Sequence, residues 1–270
     1  MVGTSTRISN LFAKSKEQGR KAFIAYLTAG DPSLALTTEL VLALQRGGAD
    51  LIELGVPFSD PIADGPVIQR ASDRALRAGA NLPKLLETVR EIRRKSDIPL
   101  LLFSYLNPLL RYGFDNVARD VAAAGIDGVL LTDLSVEEAA EPVSRLRGAN
   151  LDTVFLAAPT SSERRLRLVA EHSSGFVYLV SRTGVTGEQA SLSALAAPLT
   201  ERMRQLTQLP LALGFGVSTP AQVAEVASMA DGVVVGSAIV KFIETNGADP
   251  DLPAKLEAFT RQLTAPLHRT

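Results

Sequence analysis

Cysteine is absent from the 270 residues of this sequence, and histidine occurs only twice. Without cysteine the chain has no disulfide, no thiolate nucleophile and no cysteine-ligated metal site. His172 is predicted to end a helix on the face of the fold opposite the catalytic face, and His268 belongs to the C-terminal tail. This scarcity of ligands argues against a zinc site or a Ser-His-Asp triad, and we predict no metal.

The sequence also lacks an excess of one charge and any long hydrophobic run. The formal net charge is -1 and Lys and Arg are scattered, which argues against nucleic acid or an anionic membrane as a partner. Residues 1–17 contain only short apolar pieces, unlike a signal peptide, and no stretch reaches the length of a membrane span. We therefore expect a cytoplasmic protein that binds a small molecule or another protein.

The sequence does contain a repeated unit: a short apolar run, a turn rich in Gly, Pro, Asp or Ser, and a segment with apolar residues at helical spacing. Such runs occur at residues 22–28, 51–55, 100–105, 128–132, 153–157, 176–181, 211–215 and 232–236. They are typical of parallel strands covered on both faces, with helices as crossovers. Because closure removes exposed edge strands, so many units favour a barrel. We predict an α/β fold, a single (β/α)8 TIM barrel domain over residues 1–270.

The helices of this barrel are predicted from the same periodicity at residues 34–46, 82–94, 117–124, 136–146, 163–171 and 220–227. An extra N-terminal helix at 8–17 is expected to cover the bottom of the barrel, and a helix at 252–263 is expected to close it. Catalytic groups in this architecture come from the C-terminal ends of the strands and from the loops that follow them.

Glu53 is the first candidate from such a strand end. Alternation along residues 51–55 puts Ile52 and Leu54 on the helix side, so Glu53 points into the barrel. An apolar interior would raise the pKa of its carboxyl toward the range useful for acid and base catalysis. The alternative is a structural ion pair with an inward Arg or Lys.

The loop at residues 56–66 carries three prolines and two further acids, Asp60 and Asp64. The prolines restrict the backbone, so the two carboxylates are held in place. Either residue could simply cap a turn or the helix after Pro66. Their place beside an inward Glu53 favours a second carboxylate that binds a substrate N–H or a developing positive charge.

Glycine-rich loops follow the last three strand runs. They carry Gly184, Gly187, Gly214, Gly216 and Gly236, the last of which precedes Ser237. Glycine lets backbone N–H groups approach an anion, and a helix start beyond Ser237 adds its positive dipole end. Three such loops on one rim predict a phosphate site. Tyr178, Tyr105 and Asn107 could reach the mouth as polar groups, although such aromatic residues are more often core.

Several of these segments together resemble the tryptophan synthase alpha chain family. They are residues 49–61 (ADLIELGVPFSDP), 63–66 (ADGP) and 181–187 (SRTGVTG), supported by 28–32 (TAGDP), 214–217 (GFGV) and 236–240 (GSAIV). The first motif is long and specific, and the resemblance runs over nearly the whole chain in the expected order.

The resemblance implies reversible retro-aldol cleavage of indole-3-glycerol phosphate to indole and glyceraldehyde 3-phosphate, within L-tryptophan biosynthesis. It implies that Glu53 is the general acid/base and that Asp64 holds the indole N–H. The substrate-binding positions it implies are Tyr178, Thr186, Gly187, Phe215, Gly216, Gly236 and Ser237, with Thr186 closing over Asp64.

The resemblance also implies a beta chain that accepts the indole in an alpha2-beta2 tetramer. Pyridoxal phosphate would then be bound by that partner alone, with no cofactor on this chain, and Asp60 would face the partner. Residues 132–135 (TDLS) depart from the family, in which prolines often flank the Asp. This departure leaves open the shape of that loop and its share of the indole pocket.

Two rival functions remain at this point. One is another phosphate-binding barrel enzyme, such as an indole-3-glycerol phosphate synthase or a phosphoribosyl isomerase. Lys21, at the start of the first run, is the only lysine near a strand interior, which argues against the synthase. The other rival is a non-catalytic subunit that only activates a beta partner, and the intact Glu53 and Asp64 argue against it.

Overall fold

A computed structural model describes residues 5–180, 192–214 and 216–268. The strand segments, all parallel, are β1 (Ala22–Thr28), β2 (Leu51–Gly55), β3 (Leu100–Ser104), β4 (Gly128–Leu131), β5 (Asp152–Val154), β6 (Leu156–Ala157), β7 (Val177–Val180), β8 (Leu211–Gly214) and β9 (Gly232–Val235). Their order in the sheet is β5-β4-β3-β2-β1-β9-β8-β7-β6. The two ends of this order, β5 and β6, are consecutive in the chain and separated by Phe155 alone. The sheet therefore closes on itself, and the predicted (β/α)8 barrel is confirmed.

The helices surround this barrel. They are α1 (Arg7–Glu17), α2 (Leu34–Arg46), α3 (Pro66–Arg77), α4 (Leu82–Arg93), α5 (Leu106–Tyr112), α6 (Phe114–Ala124), α7 (Ala140–Gly148), α8 (Glu163–His172), α9 (Leu192–Arg204), α10 (Pro220–Ala227), α11 (Ser237–Asn246) and α12 (Leu252–Thr264), with short 3-10 helices at Val136–Glu138 and Ala265–His268. The bounds predicted for α2 and α10 match, and those for α1, α4, α8 and α12 agree within one residue.

The core has two layers because every strand buries both of its faces. The outer layer fills the space between the sheet and the helices, and the inner layer fills the barrel with residues such as Ile24, Leu51 and Leu101. Helix α1 closes the bottom: Ile8 and Phe12 are buried in the inner layer, where the rings of Phe12 and Phe176 lie 5.5 Å apart. The predicted bottom-covering helix is therefore confirmed.

The single helix predicted at residues 136–146 is wrong. The structure has a 3-10 turn at Val136–Glu138, capped by Ser135, and then α7 from Ala140. Pro142 explains the break, because a proline lacks the N–H that an uninterrupted helix needs and fits only in a first turn. Two helices were not predicted at all: α5 is only seven residues long, and α9 contains Pro198.

Candidate active site

A cavity of about 500 Å³ opens at the C-terminal ends of the strands. Its lining comes from strand ends, from the loop after β2 and from the start of α11. The lining residues are Tyr26, Glu53, Ile62, Ala63, Asp64, Gly65, Ile68, Phe103, Tyr178, Gly216, Val234, Gly236 and Ser237. Both predicted catalytic acids and three of the predicted phosphate-site residues therefore share one cavity.

Glu53 lies on the inner face of β2, where the alternation predicted it. Ile52 and Leu54 pack in the outer layer and Leu51 in the inner layer. Glu53 is 1% exposed, and its Oε1 atom has no hydrogen-bond partner among the described residues. This uncompensated burial raises the pKa of Glu53 to about 8. No Lys or Arg among the described residues forms an ion pair with Glu53, so the ion-pair interpretation is not supported.

Asp64 lies half-buried at the edge of the same cavity. Burial raises the pKa of its carboxyl to about 6, and a hydrogen bond with the Tyr105 hydroxyl opposes that shift. The same hydroxyl accepts a 2.9 Å hydrogen bond from the backbone N–H of Ala63. Tyr105 therefore holds the loop that carries Asp64 in position. The sequence did not distinguish this role from core packing.

Neither loop acid caps the helix that follows the loop. Helix α3 begins at Pro66 after the N-cap residue Gly65, and no side chain among the described residues caps it. Asp60 is exposed, outside the cavity lining, and accepts a 2.6 Å hydrogen bond from the Ser59 hydroxyl. Asp64 thus faces the cavity, whereas Asp60 faces outward from the rim.

Three of the predicted phosphate residues line another part of the cavity. Gly236 is the N-cap of α11 and Ser237 its first residue, and within the described part of the chain no side chain caps this helix. Gly216 has φ 81°, a left-handed conformation that a residue with a side chain rarely adopts. These backbone groups form the kind of site that binds phosphate at a helix N-terminus. Gly184, Thr186, Gly187 and Phe215 lie outside the described residues.

Two buried tyrosines stand over glycines inside the barrel. A Cβ atom on Gly214 would lie 2.4 Å from the Tyr178 hydroxyl, and a Cβ on Gly55 would clash in the same way with the Tyr26 hydroxyl. Both glycines are therefore required to make room for a phenol. Sequence reasoning named Tyr178 but missed Tyr26, although the alternation that places Ile24 in the inner layer also turns Tyr26 inward.

The remaining candidates lie away from the cavity. Asn107 is exposed on α5, and Lys21 precedes β1 at the bottom of the barrel, where its Nζ is 3.7 Å from Asp231. His172 ends α8, and its carbonyl accepts a 2.6 Å hydrogen bond from Thr153. In the departing loop, the Asp133 carboxylate accepts a 2.7 Å hydrogen bond from the Leu106 N–H, which joins that loop to α5. An indole-3-glycerol phosphate synthase would require a lysine inside the cavity. No lysine of the described chain enters it.

Fold and cavity together define the chain as a (β/α)8 barrel with two acids in a cavity at the C-terminal ends of its strands. Comparison with known proteins then makes the assignment specific, because the family model of the tryptophan synthase alpha chain matches residues 12–266. The chain belongs to the tryptophan synthase alpha chain family. It is accordingly a lyase with the role of the alpha subunit in tryptophan biosynthesis.

The relatives and solved structures agree over nearly the full length. The tryptophan synthase alpha chain of Solibacter usitatus is 63% identical over 96% of this chain and 97% of its own length. That of a Geobacter species is 53% identical over 88% and 90%. The alpha subunit structure from Legionella pneumophila superposes with a TM-score of 0.87 at 37% identity, over 98% of this chain and 99% of that one. Among the described residues, no helix is long and apolar enough to cross a membrane.

Proposed function

We propose that Glu53 and Asp64 catalyse the reversible cleavage of indole-3-glycerol phosphate to indole and glyceraldehyde 3-phosphate. The observation that carries this proposal is a buried carboxyl, Glu53, whose Oε1 atom has no hydrogen-bond partner among the described residues. It shares one cavity with a second acid and a helix N-terminus suited to phosphate. A buried acid without a partner is costly, and a reactant that exchanges a proton with it gives it a purpose.

The reaction breaks one carbon–carbon bond and needs two proton transfers, one to the indole ring and one from the substrate hydroxyl. The indole ring is protonated at the carbon that bears the glycerol chain, and the carbon–carbon bond then breaks, returning its electrons to the ring. The hydroxyl on the adjacent carbon loses its proton and becomes the aldehyde. Glu53, with a pKa of about 8, is protonated at neutral pH and can donate and later recover the proton. Since no oxidation or external nucleophile is involved, the chemistry needs no cofactor on this chain.

Asp64 stabilises the positive charge on the protonated ring. Its pKa of about 6 leaves it ionised at neutral pH, so it can accept a hydrogen bond from the indole N–H. Tyr178 contributes its ring and hydroxyl to the substrate side of the cavity. Gly216, Gly236 and Ser237 hold the phosphate, together with Gly187, while Thr186 and Phe215 complete the substrate site.

The partner in this proposal is a tryptophan synthase beta chain, which binds pyridoxal phosphate and receives the indole within an alpha2-beta2 tetramer. An outward-facing rim at the cavity mouth supports it. Asp60 and Ile62 are exposed there, Ile62 to 88% of its surface, and Leu110 on α5 is 54% exposed. Cytoplasmic location stays a prediction that fits a biosynthetic lyase.

The test is indole release from indole-3-glycerol phosphate by the purified chain, with and without a beta chain. Glu53→Gln keeps the shape of the side chain but removes the proton, so we expect the rate to fall roughly a hundredfold or more. Circular dichroism and binding of glyceraldehyde 3-phosphate should be unchanged. Wild-type turnover in the variant would refute the role of Glu53, and absence of cleavage by the wild type under both conditions would support the purely activating subunit.

A further inference from the structure

We propose that Tyr26 is a further catalytic residue, whose hydroxyl hydrogen bonds to the substrate oxygen from which Glu53 takes a proton. This inference rests on the proposed function, because it concerns the glycerol part of indole-3-glycerol phosphate. It assigns a third polar group to the reaction centre, between the acids and the phosphate site.

The strand order puts Tyr26 in the path of the substrate. Strand β1 lies between β2, which carries Glu53, and β9, which leads to Gly236. A ligand with its phosphate at Gly236 and its reacting carbon at Glu53 must therefore extend past the inner face of β1. Tyr26 is the inward residue of β1 at this level: its Cα is in register with that of Glu53, and a Cβ on Gly236 would lie 3.5 Å from its own Cβ.

The hydroxyl of Tyr26 is held above Glu53, toward the mouth. It occupies the space over Gly55, which follows Glu53 by two residues and faces the same side of β2. The ring is fixed by an edge-on contact with Phe103, with centroids 5.2 Å apart, and by packing against Ala71 and Val240. A phenol held this firmly presents its O–H in a defined direction with little entropy left to lose.

The hydroxyl also has hydrogen-bonding capacity to spare. Among the described residues, its hydrogen-bonding contact is with the Thr28 hydroxyl and is long, at 3.4 Å, while Tyr26 itself is 5% exposed and lines the cavity. Burial, then the nearby carboxyls of Asp64 and Glu53, raises the pKa of Tyr26, so the phenol stays protonated and can donate. A donor aimed at an oxygen that gains negative charge as it loses its proton stabilises that transition state.

Tyr26→Phe tests this directly, because it keeps the ring and removes only the hydroxyl. We expect kcat for indole release to fall about tenfold or more, with KM within about threefold and an unchanged melting temperature. Any smaller fall in kcat, or a rise in KM alone, would overturn the inference. Tyr112→Phe is the matched control: its hydroxyl donates to Asp120 on the outside of the barrel, and its removal should leave kcat unchanged.

Thr28→Val separates a substrate contact from a structural hydroxyl pair. If the Tyr26 hydroxyl acts on the substrate, loss of the Thr28 hydroxyl should change kcat less than about threefold. A fall as large as that of Tyr26→Phe would instead mean that the pair is structural, which overturns the inference. Glu53→Gln keeps the two proposals apart: if it abolishes cleavage while Tyr26→Phe lowers kcat less than tenfold, only the role of Tyr26 is lost.

Discussion

The two ends of the barrel bury acids in opposite ways. At the bottom, Asp127 is 6% exposed and its carboxylate meets Arg93 at 2.7 Å and Arg7 at 3.0 Å, while also accepting the Leu100 N–H at 2.8 Å. At the mouth, Glu53 is buried still more completely and its Oε1 atom has no partner in the described chain. The first arrangement is typical of a structural acid, and the second is the one on which the catalytic role proposed for Glu53 rests.

Cavity volume does not make this distinction. A depression of about 570 Å³ at the bottom, lined by Arg7, Asn10 and Asp127 among others, is as large as the cavity at the mouth. Its acid is neutralised by cations, and both of its carboxylate oxygens accept hydrogen bonds. What separates the two ends is whether the buried charge is compensated, because an uncompensated group shifts its pKa and exchanges protons in the physiological range.

The largest expected effect comes from breaking the compensated end. Asp127→Ala leaves the Arg93 guanidinium, whose side chain is 11% exposed, without its partner, and should cost roughly 3–5 kcal/mol in the free energy of unfolding. Denaturant unfolding measures this, and one transition is expected if residues 1–270 form a single domain. Glu39→Ala, which removes an exposed pair with Lys95, should cost about 0.5 kcal/mol or less. Equal losses in the two variants would contradict the comparison.

The uncompensated acids at the mouth should make kcat depend on pH. The titration of free substrate does not affect kcat. The rate should rise as Asp64 ionises through pH 6 and fall as Glu53 loses its proton above pH 8. Each limb should change by about tenfold per pH unit at its extreme. A profile that is flat from pH 5 to pH 9 would show that neither acid titrates during turnover.

The Glu53 carboxyl should also lower the stability of the fold at higher pH. Its pKa is raised from 4.5 to about 8 on folding, so its contribution is favourable at low pH and is lost as the pH rises toward 8. The stability of Glu53→Gln relative to wild type should therefore increase by about 1 kcal/mol per pH unit between pH 5 and 7. Thermal unfolding of both proteins across that range measures the difference. Parallel curves would mean that the carboxyl is compensated after all.

The smallest effect should distinguish two glycines on the phosphate side. Gly216 has φ 81°, so Gly216→Ala strains the backbone and should raise KM for the phosphorylated substrate about fivefold. Gly236 has φ -114° and an added Cβ would lie 3.5 Å from Tyr26, an ordinary contact, so Gly236→Ala should change KM less than about twofold. The reverse order would mean that backbone conformation at Gly216 does not position the phosphate.

Local patterns in the sequence determined the strands, the orientation of Glu53 and the family. The apolar runs fixed the strands, the alternation at residues 51–55 turned Glu53 inward, and the resemblance of the loop motifs identified the family. Helix prediction failed at α5, which is only seven residues long, at α9, which contains Pro198, and at the segment broken before Pro142. The break before Pro142 was missed because proline changes which N–H groups can bond without changing the hydrophobic pattern.

Only the tertiary structure decided which polar residues act together. Tyr105 and Tyr26 are ordinary aromatic residues in the sequence, and whether an acid is paired depends on neighbours distant along the chain. Arg93 and Arg7 reach Asp127 from two separate helices, whereas nothing in the described chain reaches Glu53 Oε1. The sequence sets which side chain enters the barrel, but the energy of a buried charge depends on every group around it, and the closed sheet alone brings those groups together.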